Sequence, residues 1–200
     1  MDNKPVKGAY LEVLLRSPQT VFSTKDVALL WGEERAETIT NRLNSYATLG
    51  KLLRVRRGFY VKDSNYNRLE LATRIYTPSY ISFETVLTRE GISFQYYSNI
   101  FVASYVNREI QVGDQGIFFI RMKDYVLRDT TGVVHADGFG VATKERAFLD
   151  RLYVSKDYHF DNLDFLDWTK VAAILPVYHS KRLEKKVNEY RHGYSKDNIQ

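Results

Sequence analysis

Within the first sixty residues the spacing of apolar side chains changes once, at Gly50, and that change limits what this part of the chain can build. Before it, apolar residues recur every three or four positions, the period of a helix packed on one face. From Lys4 to Ser17 these are Val6, Ala9, Tyr10, Val13 and Leu14, and Pro18 ends the segment. A second helix opens at Phe22-Ser23-Thr24-Lys25-Asp26-Val27, where Ser23 caps free N–H groups, Asp26 returns the bond and Phe22 staples onto Val27. It is short, with Val27, Leu30 and Trp31 as its apolar edge and Gly32 as a left-handed exit. The third, Arg35 to Leu49, puts Ala36, Ile39, Leu43 and Tyr46 or Ala47 on one face. After Gly50, Lys51-Leu52-Leu53-Arg54-Val55 reads as a strand, Arg56-Arg57-Gly58 as a turn and Phe59-Tyr60-Val61 as the return strand. Helix, helix, turn, helix and hairpin is the order of a winged helix-turn-helix.

Charge divides along the same line. Residues 1–62 hold eleven basic and six acidic side chains, while the other 138 carry eighteen of each, so the whole net charge of +5 sits in the first third. A basic module joined to a neutral one has a polyanion as its default partner. A B-form major groove admits one helix, so Arg35, Thr38, Asn41, Arg42 and Ser45 are the expected readers of base edges on a recognition helix. Lys51, Arg54, Arg56 and Arg57 on the hairpin are expected to contact phosphate or the minor groove, adding affinity more than specificity. Glu33, Glu34 and Glu37 suit the start of a helix but repel phosphate, so on DNA they must point away from the backbone or accept from cytosine. The competing expectation is a protein-interaction module of the same shape, with DNA incidental.

The 200-residue chain, 44% hydrophobic and 26% charged, can bury a real core. With no cysteine, disulfide scaffolds, thiolate zinc sites, iron–sulfur clusters and cysteine nucleophiles are excluded. No apolar run suits a signal peptide or a membrane span, and a cytoplasmic location is expected.

The polar stretch Lys62 to Asn67 reads as a linker between a DNA-binding domain at 1–62 and a second domain at 68–200. Leu69 to Ile75 and Ser82 to Glu90 have helical spacing. Short β-rich runs follow at Phe94 to Tyr97, Ile100 to Val106, Ile110 to Val112, Gly116 to Met122, Tyr125 to Leu127 and Val133-Val134, predicting an antiparallel sheet and an α+β class overall. Thr143 caps a helix expected to leave Glu145 and Arg146 exposed and to bury Ala147, Phe148, Leu149 and Leu152. Two more helices are expected, from Asp164 to just before Pro176 and from Ser180 to Tyr190. The basic residues of the last (Lys181, Arg182, Lys185, Lys186, with Arg191) read as a solvated face.

Catalysis finds little footing. Neither Gly113-Asp114-Gln115-Gly116 nor Gly138-Phe139-Gly140 has the spacing of a phosphate-binding loop. The cluster Asp157 to Asp161, with Asp164 and Asp167, is the one concentration of metal-ligand types, and it reads as a solvated acidic loop. His135, His159, His179 and His192 are far apart and lack a local nucleophile. The expectation is no enzyme, no catalytic residue, no metal and no cofactor.

Four segments, in order, carry a family resemblance: Phe22 to Ala28, Leu49 to Val61, Pro78 to Ser82 and Val141 to Asp150. Together they resemble the AbiEi family of bacterial abortive-infection antitoxins and repressors, over about Val6 to Tyr153. The resemblance implies an N-terminal winged helix-turn-helix that represses its own operon from double-stranded operator DNA. It implies a C-terminal domain needed for antitoxicity in phage defence, and a nucleotidyltransferase-like toxin opposed without a stable complex. By motif position it gives the DNA contacts to the Arg35 to Ser45 helix and to Arg54, Arg56 and Arg57.

Overall fold

Ser23 starts its helix as the local sequence dictates: its hydroxyl accepts from the Asp26 N–H at 3.1 Å, and Asp26 accepts from the Ser23 N–H at 2.8 Å. The computed structural model describes residues 9–95, 97–155 and 157–197. Residues 4–8 of the first expected helix lie outside them. The chain divides into two compact units, Met1–Arg74 and Ile75–Gln200, and is of α+β class.

The first unit runs α1 (Tyr10–Arg16), β1 (Val21–Ser23), α2 (Thr24–Trp31), α3 (Ala36–Thr48), β2 (Leu53–Arg56), β3 (Phe59–Val61) and α4 (Arg68–Ile75), whose last residue opens the second unit. Its core is Tyr10, Leu14, Phe22, Val27, Trp31, Ile39, Leu43, Leu52 and Tyr60. Trp31 ties two helices together: its ring meets Tyr10 edge-on at 5.1 Å while Nε1 donates to the Tyr10 carbonyl at 2.9 Å. The three strands form an antiparallel sheet ordered β1-β3-β2, with a bulge between Arg54 and Arg56 and Gly58 turning the hairpin at φ +80°.

The unit extends past residue 62. Glu70 on α4 accepts from the Thr20 N–H at 3.0 Å and its hydroxyl at 2.6 Å, and Arg74 pairs with both Glu70 and Asp26 at 3.0 Å. Asn67, expected in a linker, donates its N–H to Thr20 and accepts from the Leu69 N–H at the start of α4. The stretch 63–74 therefore lies with the first unit.

The second unit contains β4 (Ser79–Ile81), α5 (Glu84–Arg89), β5 (Ile100–Ser104), β6 (Arg108–Val112), β7 (Gln115–Arg121), α6 (Asp124–Arg128), β8 (Val133–Ala136) and β9 (Phe139–Ala142). Then come α7 (Lys144–Val154), α8 (Trp168–Ile174), a 3₁₀ turn (Leu175–Tyr178) and α9 (Lys181–Asp197). The sheet order is β6-β7-β5-β4-β9-β8, and it is mixed, not wholly antiparallel. After β5 the chain passes to the outside and returns as the β6–β7 hairpin, so β7 lies parallel to β5, and β9 likewise lies parallel to β4.

Three other expectations are corrected. Tyr125 to Leu127 is helical, because Asp124 and Arg128 pair across one turn at 2.9 Å while Val126 and Leu127 turn inward. Residues 94, 95 and 97 belong to no strand, and residue 96 lies outside the described residues. Glu145 and Arg146 are buried, because α7 packs against α5, α8, α9 and β9 and keeps no solvent face over its first two turns.

Arg146 and Asp150, one turn apart and both without solvent exposure, form the polar centre of this unit. The guanidinium donates to the carbonyls of Thr131 and Val126 at 2.7 Å and to the Tyr80 hydroxyl at 2.9 Å. Asp150 accepts from Ser82 at 2.7 Å, Tyr178 at 2.7 Å and Tyr80 at 3.0 Å. Burial works to lower the Arg146 pKa, but Asp150, Tyr178 and Tyr80 outweigh it and hold it above the ordinary arginine value. Burial pushes Asp150 up, opposed first by Arg146 and then by the three hydroxyls. The hydroxyls of Tyr80, Ser82 and Tyr178 and the Arg146 guanidinium all donate to the carboxylate, which favours its charged form against that burial.

Candidate nucleic-acid interface

Helix α3 buries Ile39 and Leu43 against the core and half-buries Tyr46 and Ala47. At 100° per residue the opposite side carries Glu37, Asn41, Asn44, Ser45 and Thr48, all exposed, while Thr40, also exposed, lies beside Ala47 and donates its hydroxyl to the Ala36 carbonyl at 2.8 Å. Apart from Glu37 the opposite side is a row of neutral amides and hydroxyls, donor and acceptor in the same side chain.

The expected readers fall in three places. Asn41 and Ser45 lie on the outward row. Arg35 is exposed but precedes the helix, at its N-cap position with extended backbone. Thr38, beside Ser45 around the helix, and Arg42, on the flank, are half-buried, and the Arg42 guanidinium lies 3.9 Å over the Tyr10 ring. That stacking clamps α3 to α1 and takes Arg42 away from the outward row.

Asn44 is not among the expected readers. Its Oδ1 accepts from the Tyr60 hydroxyl at 2.8 Å, and Tyr60 belongs to β3, so this bond joins α3 to the hairpin. With the carbonyl oxygen occupied, the Asn44 NH₂ is left to face outward as a donor. Its spacing, three from Asn41 and seven from Glu37, was the available signal.

On the hairpin, Lys51, Arg54 and Arg57 are exposed and Arg56 is half-buried. Among the described residues none of the four enters an ion pair. Lys62 differs, since its ammonium is used on the Ser17 carbonyl. The acidic cluster before α3 is partly accounted for: Glu33 accepts from the Arg35 N–H at 3.1 Å and shapes the entry into the helix. Glu37 is the carboxylate that any polyanion on this face must avoid.

Outside this unit the titratable groups have other work. Asp161 accepts from the Phe94 N–H at 2.7 Å, and Asp167 caps α8 by accepting from the Thr169 and Lys170 N–H groups. Among the described residues no three histidines or carboxylates converge as a metal site. All four histidines are exposed. Among the described residues, too, no helix is long and apolar enough to cross a membrane.

No protein-family model matches the chain, and no curated protein matches it in sequence.

Proposed function

We propose that this protein is a sequence-specific, double-stranded-DNA-binding transcription regulator of the bacterial cytoplasm, acting as an autorepressing antitoxin. In this reading the first unit is a winged helix-turn-helix. The observation that carries it is the pairing of two surfaces on one unit: the neutral hydrogen-bonding row of α3, and a hairpin whose four cations have no carboxylate partner among the described residues. The first suits base edges in a major groove, the second phosphates.

Asn41, Asn44, Ser45 and Thr48 face bases, with Arg35 at the helix start. Lys51, Arg54, Arg56 and Arg57 contact the backbone, and Arg42 positions the helix without reading it. The antitoxin role, opposing a nucleotidyltransferase-like toxin without a stable complex, draws on the family resemblance of the four sequence segments.

Fluorescence anisotropy of the full chain on its own upstream DNA and on scrambled DNA tests the reading. Four phosphate contacts give a slope of log affinity against log salt of about −3.6, with tighter binding to the upstream sequence. Absence of binding to either DNA at low salt rejects it. One feature favours a protein-binding role for the same unit: Leu29 and Leu49 are 85% and 64% exposed. Capture of a partner chain that survives Arg56→Ala with Arg57→Ala, with no DNA retained, would decide for that alternative.

A further inference from the structure

The second unit carries a basic groove that neither the regulator reading nor the family resemblance uses. It has a cavity volume of about 960 Å³ and lies between the end of β7, the last turn of α7 and the start of α9. Arg121 and Lys123 stand on one wall and Arg182 on the other, all exposed. The one lining carboxylate, Asp124, is held by Arg128 at 2.9 Å.

A fourth lining cation, Arg151, is already used, paired with Glu84 at 3.1 Å and stacked 4.6 Å from the Tyr158 ring centre. Arg182 donates one N–H to the Tyr153 carbonyl at 2.6 Å, which fixes the guanidinium and leaves its other donors for a ligand. No partner for the side chain of Arg121 or Lys123 is found among the described residues. The backbone beneath Arg121 is held, since its N–H donates to Asn107 Oδ1 at 2.7 Å. The positive end of the 17-residue α9 adds to the same potential.

A tyrosine adds a face of another kind. Tyr105, 46% exposed, lines the groove and is braced edge-on by Tyr76 at 6.1 Å. A braced ring beside cations suits a ligand with a planar base and several phosphate charges. The cavity volume is at the upper end of the range for small-molecule sites.

We propose that this groove binds a nucleoside polyphosphate, with Arg121, Lys123 and Arg182 on the phosphates and Tyr105 against the base. The lining residues all belong to the second unit, and the proposal holds or fails independently of DNA binding.

The test titrates the full chain, without DNA and in EDTA, into N-methylanthraniloyl-ATP and follows the fluorescence. The expected result is saturable binding, weakened at least about tenfold by Arg121→Ala with Lys123→Ala. Tyr105→Ala weakens it less, and Arg56→Ala with Arg57→Ala leaves it unchanged. A matched thermal midpoint for each variant shows that the loss is not unfolding.

No saturation up to about 1 mM, or equal binding by the Arg121 and Lys123 double variant, overturns the proposal. Pyrophosphate displacing the probe as well as ATP does would also overturn it, because the base then plays no part. Displacement by a short single-stranded oligonucleotide at lower concentration than ATP would do the same, because the occupant would then be a polynucleotide.

Discussion

Arg42 and Asn44 stand two positions apart on α3, and their contacts give them different work. Arg42 rests on Tyr10 and holds two helices together, so Arg42→Ala is expected to cost about 0.5–1 kcal/mol in urea denaturation, plus the packing of its stem. Its discrimination between operator and scrambled DNA should stay as in the parent. Asn44→Ala should do the reverse, cutting that discrimination by about 1–3 kcal/mol with little change in stability. Equal loss on both DNAs would remove Asn44 from base reading. A sequence shows both as polar residues on one helix; only the ring beneath one and the hydroxyl beside the other separate them. Arg146 makes the same point more strongly: Asp150 stands one turn on, but nothing near it in the chain announces that the Val126 and Thr131 carbonyls and the Tyr80 hydroxyl will surround it as well. Arg146→Met is expected to destabilise the protein by about 3–5 kcal/mol, because Asp150 stays buried without the cation that offsets its burial, and Arg146→Met with Asp150→Leu should recover most of the loss. Equal destabilisation of the single and double variants would show that the pair's charge is not what the single variant disturbs.

At the scale of elements, what could be read from the chain was what short stretches decide by themselves. Ser23 and Asp26 are three residues apart, Thr143 and Arg146 likewise, and each cap forms as its spacing dictates. The pairing of β5 with β7 joins residues seventeen apart around an intervening strand, and no local pattern encodes it. Tyr125 to Leu127 reads equally as strand or helix, because three apolar residues fit either period, and the ion pair that settles it lies just outside them. The hairpin is an element whose expected role can be measured as a unit. Arg56→Ala with Arg57→Ala should weaken binding to every DNA alike and make the salt slope shallower by about two, and an unchanged slope would take those arginines off the phosphate backbone. The cap of α8 is testable by acid. The Lys170 N–H, then that of Thr169, holds the Asp167 carboxyl below the ordinary value of 3.8. Its folded pKa is thus lower than its unfolded one, so the cap stabilises above about 3.8 and the contribution fades as pH falls through the folded value. A carboxyl NMR titration should place the Asp167 midpoint below 3.8.

At the scale of the molecule, the place where the first unit ends decides what can be separated from the chain. A boundary near residue 62 follows from polar composition, and Lys62 to Asn67 looks like linker because its side chains are those that favour turns. Those side chains are used differently: Asn67 caps α4, and α4 then carries Glu70 and Arg74 back onto Thr20 and Asp26. Glu70 is 2% exposed, so removing α4 leaves the Thr20 N–H and hydroxyl without their carboxylate acceptor and Asp26 without its arginine. A fragment ending at Arg74 is therefore expected to unfold cooperatively and to keep the salt-dependent DNA binding of the full chain. One ending at Lys62 should lose about 1–3 kcal/mol or more for the stranded polar groups alone, enough to leave a 62-residue domain marginal. Thermal denaturation of the two fragments, each followed by circular dichroism, compares them directly. Equal midpoints would return the boundary to residue 62 and make α4 an accessory of the first unit. A higher midpoint for the longer fragment would make α4 part of the folded domain, held through the Thr20 and Asp26 contacts of Glu70 and Arg74.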